Sequence, residues 1–338
     1  MAFPLGAPSL KTTNDYAYGI SKFSDGSSII TGSFHNTVTF GSTTLTASGV
    51  GSARPLDGFV AKIDSNGNFL WTKQLGGPEN DVGRSVSTLS DGSSIITGYF
   101  KGAANFGDIT LNSSGDADIF ITKVDSNGNF LWATQAGSAS GRDGAYSIKA
   151  FSDGSSIITG NIQESASFGD TTLRGDGTSG GFIAKLDSDG NFLWATEAGT
   201  GWAASTLSDG SSIITGTFPG SQTFGGTTLS SDGWSDIFIT KVDDNGNFLW
   251  AKQAGGARAN TSYGISTLSD GSSIITGNVE GSASFGDITL TSLEYNTKSI
   301  HIAKLDSNGN FLWATGGSHF SGYADANDIT TLDRKSVV

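Results

Sequence analysis

"SDGSSIITG" occupies residues 24–32 and recurs letter for letter at 90–98, 152–160, 208–216 and 269–277. Each copy sets Asp-Gly, a dipeptide of tight hairpin turns, directly before an Ile-Ile pair, so each reads as a turn feeding a strand. In the second copy, Asn127-Gly128 marks another such turn downstream. Both turns are expected to be type I′, with positive φ at both central residues. The unit then reads as two hairpins, with strands "SVSTLS" (85–90), "SSIITGYF" (93–100), "DIFITKVD" (118–125) and "NFLWATQA" (129–136). The second and fourth carry apolar residues on both faces, which predicts a sheet covered on two sides. Phe106-Gly107-Asp108-Ile109-Thr110-Leu111, matched at Phe40, Phe168, Phe224 and Phe285, predicts a short extra hairpin or strand extension between the second and third strands. No helix is needed.

Trp71, Trp132, Trp194, Trp250 and Trp313 stand 61, 62, 56 and 63 residues apart. A lone four-stranded sheet with two apolar faces is unstable, whereas radial packing of such sheets about an axis buries both faces. The expectation is an all-β protein, a β-propeller of five four-stranded blades of about 61 residues each. The alternative is an open or oligomer-completed fragment of a larger, six- to eight-bladed propeller. Blades fall at 16–76, 82–137, 144–199, 202–255 and 262–317 of one domain, with the repeated Trp and Phe filling blade interfaces. Residues 1–15 read as the end of a preceding blade, 318–332 as the first strand of a further truncated blade, and 333–338 ("DRKSVV") as a non-native tail.

"DGFVAKIDSNGNFLWTKQLGG" (57–77) and its counterparts resemble the bacterial β-propeller repeats called SBBP, with their F-x-x-K-x-D, G-N-x-x-W and G-G pattern. The resemblance covers nearly the whole chain and implies a surface or secreted protein; it implies no activity. The family name refers to seven blades, and the repeats here number five. Within the nine repeated residues, Asp-Gly and Ile-Ile answer to turn and core, whereas Ser-Ser and Thr are expected to be free to vary. The surplus identity is read as recent internal duplication.

Composition narrows the function classes. Asp plus Glu outnumber Lys plus Arg 32 to 19, a net charge of −13 that opposes a nucleic-acid partner. Zero cysteines exclude disulfides and thiolate chemistry. No run of 18 apolar residues argues for membrane insertion, and the chain shows no signal peptide. An extracellular or cell-surface location follows from the resemblance alone.

The "DSNGN" type of stretch, starting at Asp64, Asp125, Asp187, Asp243 and Asp306, offers oxygen side chains at alternate positions, a weak calcium-loop pattern. Its glycine stands fourth rather than sixth and no bidentate Glu follows, so a plain hairpin turn is the stronger reading. Lys62, Lys123, Lys185, Lys241 and Lys304 recur two residues before those aspartates. They read as stems lying along a sheet with the ammonium at the rim or beside a carboxylate, rather than as a cationic channel ring. Gly175–Gly180 matches G-x-G-x-x-G without a following helix and is discounted. His35, His301 and His319 occupy unrelated positions, which gives a zinc site little support. Function is expected on the variable loops of one ring face, where Trp202, Trp234, Tyr295, His319 and Phe320 depart from the repeat and are the ligand-binding candidates. The leading reading is a non-catalytic recognition protein for glycan or protein, the alternative a purely structural segment of a larger adhesin, with self-association through unpaired blade edges. An enzyme would have to draw its acid and base from scattered carboxylates such as Asp176, Asp232, Glu164 or Glu294.

Overall fold

The computed structural model describes residues 15–48, 56–174, 180–291, 298–317 and 326–330. Among them are thirty strands and no helix. The first unit holds β1 (Tyr16–Lys22), β2 (Ser28–His35), β3 (Thr37–Phe40), β4 (Thr43–Thr46), β5 (Leu56–Ile63) and β6 (Phe69–Leu75). The second holds β7 (Val82–Thr88), β8 (Ser94–Phe100), β9 (Ala103–Phe106), β10 (Ile109–Asn112), β11 (Asp118–Val124) and β12 (Phe130–Ser138). The third holds β13 (Gly144–Ala150), β14 (Ser156–Ile162), β15 (Ala166–Phe168), β16 (Thr171–Leu173), β17 (Gly180–Leu186) and β18 (Phe192–Ala198). The fourth holds β19 (Thr200–Thr206), β20 (Ser212–Phe218), β21 (Ser221–Phe224), β22 (Thr227–Ser230), β23 (Asp236–Val242) and β24 (Phe248–Gly255). The fifth holds β25 (Thr261–Thr267), β26 (Ser273–Glu280), β27 (Ser282–Phe285), β28 (Ile288–Thr291), β29 (Lys298–Leu305) and β30 (Phe311–Gly317).

Every unit is a four-stranded antiparallel meander, for example β7-β8-β11-β12, and the Phe-Gly motif forms the extra hairpin between its second and third strands. That hairpin reaches backwards. β15 pairs with β12 and β27 with β24, so the third and fifth units add strands to the sheets before them. The first strands of successive units lie side by side, and a serine on one bonds the backbone of the next: Ser85 Oγ accepts from Ile148 N (3.2 Å) and Ser147 Oγ from Ala204 N (3.2 Å). The result is a propeller-like array about an axis.

The turns differ from expectation. Gly92 has φ 84° and Gly128 φ 81°, but Asp91 and Asn127 keep negative φ, which rules out type I′. Gly92 N donates to Leu89 O and Leu89 N to Ser93 O, so the loop is a type I turn closed by a left-handed glycine, and the other copies match it. The Asp carboxylate selects this form by accepting the N–H two residues on, as in Ser93 N to Asp91 Oδ1 at 2.8 Å.

Nor are the first serine of the Ser-Ser pair and the threonine free to vary. The first serine of the pair is buried, with its hydroxyl on the turn Asp as well (Ser27 Oγ to Asp25, 2.6 Å). The threonine is buried and donates to a carbonyl of the third strand, from Thr31 to Phe59 O (2.8 Å) through Thr276 to His301 O (2.7 Å). The final glycine admits no side chain: a Cβ on Gly98 would lie 1.9 Å from Val82 O. The second serine is buried with an unpartnered hydroxyl in Ser94, Ser156, Ser212 and Ser273, which nothing in the structure explains.

Two-sided cover holds for the second and third strands but not for the fourth. On the fourth strand Leu70, Leu131, Leu193, Leu249 and Leu312 are each 53–55% exposed, which makes it the outer edge of the unit. Its tryptophan clamps the next unit. Trp132 Nε1 donates to Ser188 O at 3.0 Å, and its ring lies so close over Gly190 that a Cβ there would stand 2.7 Å away. Trp71, Trp194 and Trp250 repeat the contact on Ser126, Asp244 and Ser307. Trp313 is 41% exposed, and Gly67, in the turn that such a ring would cover, has nothing within 4 Å. Against β25, Asp328 takes the place that Ser85 takes against β1: the Cα of each lies 2.9–3.0 Å from where a Cβ on Gly264 or Gly19 would stand.

Candidate functional site

Every first strand contains one β-bulge, because one extra residue stands opposite the threonine-glycine step of its partner. The extra residues are Tyr18, Arg84, Tyr146, Trp202 and Tyr263. A bulge breaks the alternation of a strand and re-aims one side chain. Here it delivers five large side chains to one axial cavity, completed by Asn327 and Asp328. The rings form a partial collar: Tyr146 stacks on Trp202 (centroids 4.5 Å), Trp202 meets Tyr263 edge-on (5.6 Å), and the Arg84 guanidinium lies 4.4 Å over Tyr18.

Beside the collar, between the second and third units, lies a cavity of about 320 Å³. Arg84 and Tyr146 belong to both spaces; Tyr99, Arg142, Asp143, Asn161 and Gln163 line the rest. These residues sit where second strands end and where fourth strands connect to first ones, on the loop-bearing face. The local structure is tied down. Asp143 accepts from Ser138 N (2.6 Å), Ser138 Oγ (2.7 Å) and Gln163 N (2.9 Å), Tyr146 Oη donates to Asn161 Oδ1 at 2.6 Å, and Arg142 N donates to Gln163 Oε1 at 2.8 Å. Burial raises the pKa of Asp143 and of Tyr146. The equivalent Asp81 is pushed up to about 8 by burial against the opposing pull of Gly77 and Lys101 N–H donors. Two donors at the axis are buried without an acceptor, Arg84 Nε and Trp202 Nε1.

Trp202 therefore does not depart from the repeat. It fills the bulge slot of the fourth unit, seven residues before Asp209, as the other four bulge residues precede Asp25, Asp91, Asp153 and Asp270. That column of aromatic and Arg residues was readable by aligning the turns; Tyr18, Arg84, Tyr146 and Tyr263 were missed because they look like ordinary strand residues one at a time. Trp234, 72% exposed, stands on the loop before β23. Tyr295, His319 and Phe320 lie outside the described residues, as do Asp176, Glu294 and most of Gly175–Gly180. Glu164 accepts from Ser140 Oγ, and neither Glu164 nor Asp232 lines the axial cavity.

The Asp64 carboxylate accepts from Asn66 N, Asn68 N and Asn68 Nδ2, all at 2.8 Å, and Asp125, Asp187, Asp243 and Asp306 do the same in their own turns. Those bonds, the Asn68 side chain's first, hold Asp64 below the ordinary carboxylate range. Among the described residues, no group of three or more His, Asp or Glu is placed to hold a metal ion. Two of the lysines lie beside a carboxylate, Lys185 with Asp244 of the next unit and Lys241 with Asp209 at 3.5 Å, but Lys62 and Lys185 are buried rather than at the rim, and Lys62 Nζ lies 4.3 Å over the Phe23 ring. His301 is a core residue, occupying the third-strand position of Phe59, Phe120, Phe182 and Phe238, with neither ring nitrogen bonded.

No family model matches the chain. It is similar to an uncharacterized WD repeat-containing protein of Acanthamoeba polyphaga mimivirus, 24% identical over 407 aligned positions that take in 97% of this chain. The chain spans 29% of that protein's length. Among solved structures it resembles a protein of unknown function from Bacteroides caccae, at 11% identity, a TM-score of 0.45, and coverage of 90% of this chain and 83% of the other. The sequence similarity and the meander array agree on a propeller-like repeat architecture.

Proposed function

We propose that the chain is a non-catalytic recognition protein of the bacterial cell-surface or secreted type, SBBP-like, which binds a glycan or protein ligand at the loop-bearing mouth of its axis. The collar carries this reading: five bulges send Tyr18, Arg84, Tyr146, Trp202 and Tyr263 to one cavity. Bulges cost ladder bonds, and repeating that cost in every unit is intelligible if the side chains are wanted at the axis. Aromatic faces edged by amide and guanidinium groups suit polar rings of the sugar type. The array is proposed to be an open propeller of these five blades, with Asp328 marking the place of a further one beside β25.

A purely structural segment of a larger adhesin is favoured by one observation, the uncovered Trp313 and Gly67, which invite a neighbouring unit. A broad glycan array probed with folded protein, with calcium and with chelator, separates the two. Selective binding lost in Trp202→Ala and weakened in Trp234→Ala supports recognition; a blank array moves the structural role to first place. The chelator arm decides whether the turns at Asp64, Asp125, Asp187, Asp243 and Asp306 take calcium.

A further inference from the structure

We infer that the ligand of the axial mouth is a carboxylate-bearing sugar, a uronic or ulosonic acid residue, with Arg84 as its principal anchor; this rests on the glycan reading above. In a chain of net charge −13, two guanidiniums flank one aromatic ring, Arg84 at 5.6 Å and Arg142 at 5.9 Å from the centre of Tyr99. Arg142 is partly spent, its Nε lying 3.4 Å from Asp116, which also takes Lys101 at 2.5 Å. Arg84 has only aromatic faces beneath it, and its Nε is buried with no hydrogen-bond partner.

The surrounding groups are likewise short of acceptors for it. Asn161 Oδ1 already accepts from Tyr146 and Gln163 Oε1 from Arg142 N–H, so each amide has one acceptor site engaged while both N–H donors of its NH2 group are left to offer. Asp143, the carboxylate lining the same cavity, is turned onto Ser138 and Gln163 N. A cavity rich in donors and poor in acceptors selects a ligand that brings oxygens, and a guanidinium fork matches a carboxylate with two parallel bonds. Tyr99 and Tyr146 add aromatic lining beside the guanidiniums, and about 320 Å³ accommodates a sugar residue with its substituents.

Titration calorimetry of the full chain with an oligogalacturonate, with the same oligosaccharide reduced to the neutral galactan type, and with polyglutamate tests the inference. The expected result is binding of the uronate, at least about ten-fold weaker binding of the neutral form, no binding of polyglutamate, and a loss of about ten-fold in Arg84→Gln against a smaller loss in Arg142→Gln. Arg84→Lys, which keeps the charge but not the fork, is expected to recover part of the loss. Equal binding of neutral and acidic forms, or no effect of Arg84→Gln in a variant that melts like the parent, overturns the inference and leaves the glycan reading standing. Polyglutamate binding as tight as the uronate overturns it as mere charge attraction. Failure of every saccharide, acidic and neutral, overturns both.

Discussion

Gly98 and Arg84 are near neighbours: Gly98 pairs with Gly83, and Arg84 is the bulged residue that comes next. The glycine position is identical in all five units, at Gly32, Gly98, Gly160, Gly216 and Gly277; the bulge position holds Tyr, Arg, Tyr, Trp and Tyr. The glycine column faces a carbonyl of the adjoining strand at a distance no Cβ tolerates, whereas the bulge column faces the axial space. Invariance here tracks close contact with backbone, and variation tracks the open axial space, where side chains meet one another rather than a neighbouring strand.

Gly98→Ala attacks the invariant side most directly. With Val82 O 1.9 Å and the Phe120 ring 3.0 Å from the new methyl, the two strands must separate, and a loss of about 3 kcal/mol in urea unfolding is expected. Ser90→Ala, at the exposed first residue of the same nine, is expected to stay within about 0.5 kcal/mol. If both substitutions cost alike, the nine residues are not graded by contact and the duplication explanation regains its place.

The inter-unit clamp provides a second contrast. Trp132→Ala gives up a ring packed on Gly190 and a bond to Ser188 O, together about 2 kcal/mol. Trp313→Ala, at the same register without the next turn beneath it, is expected to cost under about 0.5 kcal/mol. A large loss in the second variant would mean that Trp313 is covered in solution.

How far the repeat could be read from letters follows the same division. Four-strand meanders, the extra hairpin and the five tryptophans were legible because turn dipeptides and spacing are local. The turn type is not legible in the dipeptide, since Asp-Gly serves both a type I′ turn and a type I turn with a left-handed glycine; the bond from Ser93 N to Asp91 decides between them. The roles of Thr97 and Gly98 depend on the neighbouring strands, β11 and β7, and so were invisible along the chain. The collar is half visible: Trp202 stands out by its rarity, while the four residues sharing its slot look ordinary because no bulge is written in a single strand.

His301 is the exception on the invariant side, an imidazole where four units have Phe. Both ring nitrogens are buried and unbonded, and burial alone lowers its pKa to about 3. His301→Phe is expected to stabilise by about 1–2 kcal/mol near neutral pH, because two unsatisfied polar atoms are removed from a site shaped for a phenyl ring. Since the folded pKa lies below the unfolded value near 6.5, the parent loses stability as pH falls from about 6.5 towards 3, and the variant does not. Its advantage should therefore widen on acidification, read as the difference in urea midpoints at pH 7 and pH 5. A variant that is less stable at both would show that the fifth unit has repacked around the imidazole.

A small effect is also expected on the variable side. Tyr18 is 41% exposed, touches Arg84 through a ring face at 4.4 Å and stacks at 5.7 Å on Tyr16, itself exposed, so Tyr18→Ser removes two partly solvated ring contacts and little buried area. About 0.5 kcal/mol or less is the expected change in urea unfolding. The backbone bulge at Tyr18 is set by the register of β1 on β2, between Ala17 opposite Gly32 and Gly19 opposite Thr31, and does not depend on the side chain it carries. A bulge that persists with serine in it, seen as unchanged amide chemical shifts for Ala17 and Gly19, means that the fold supplies the slot and leaves its contents open. A bulge that closes, or a loss comparable to that of Gly98→Ala, would mean that the aromatic residues hold the axis together, and the contrast between the two columns would then be one of degree.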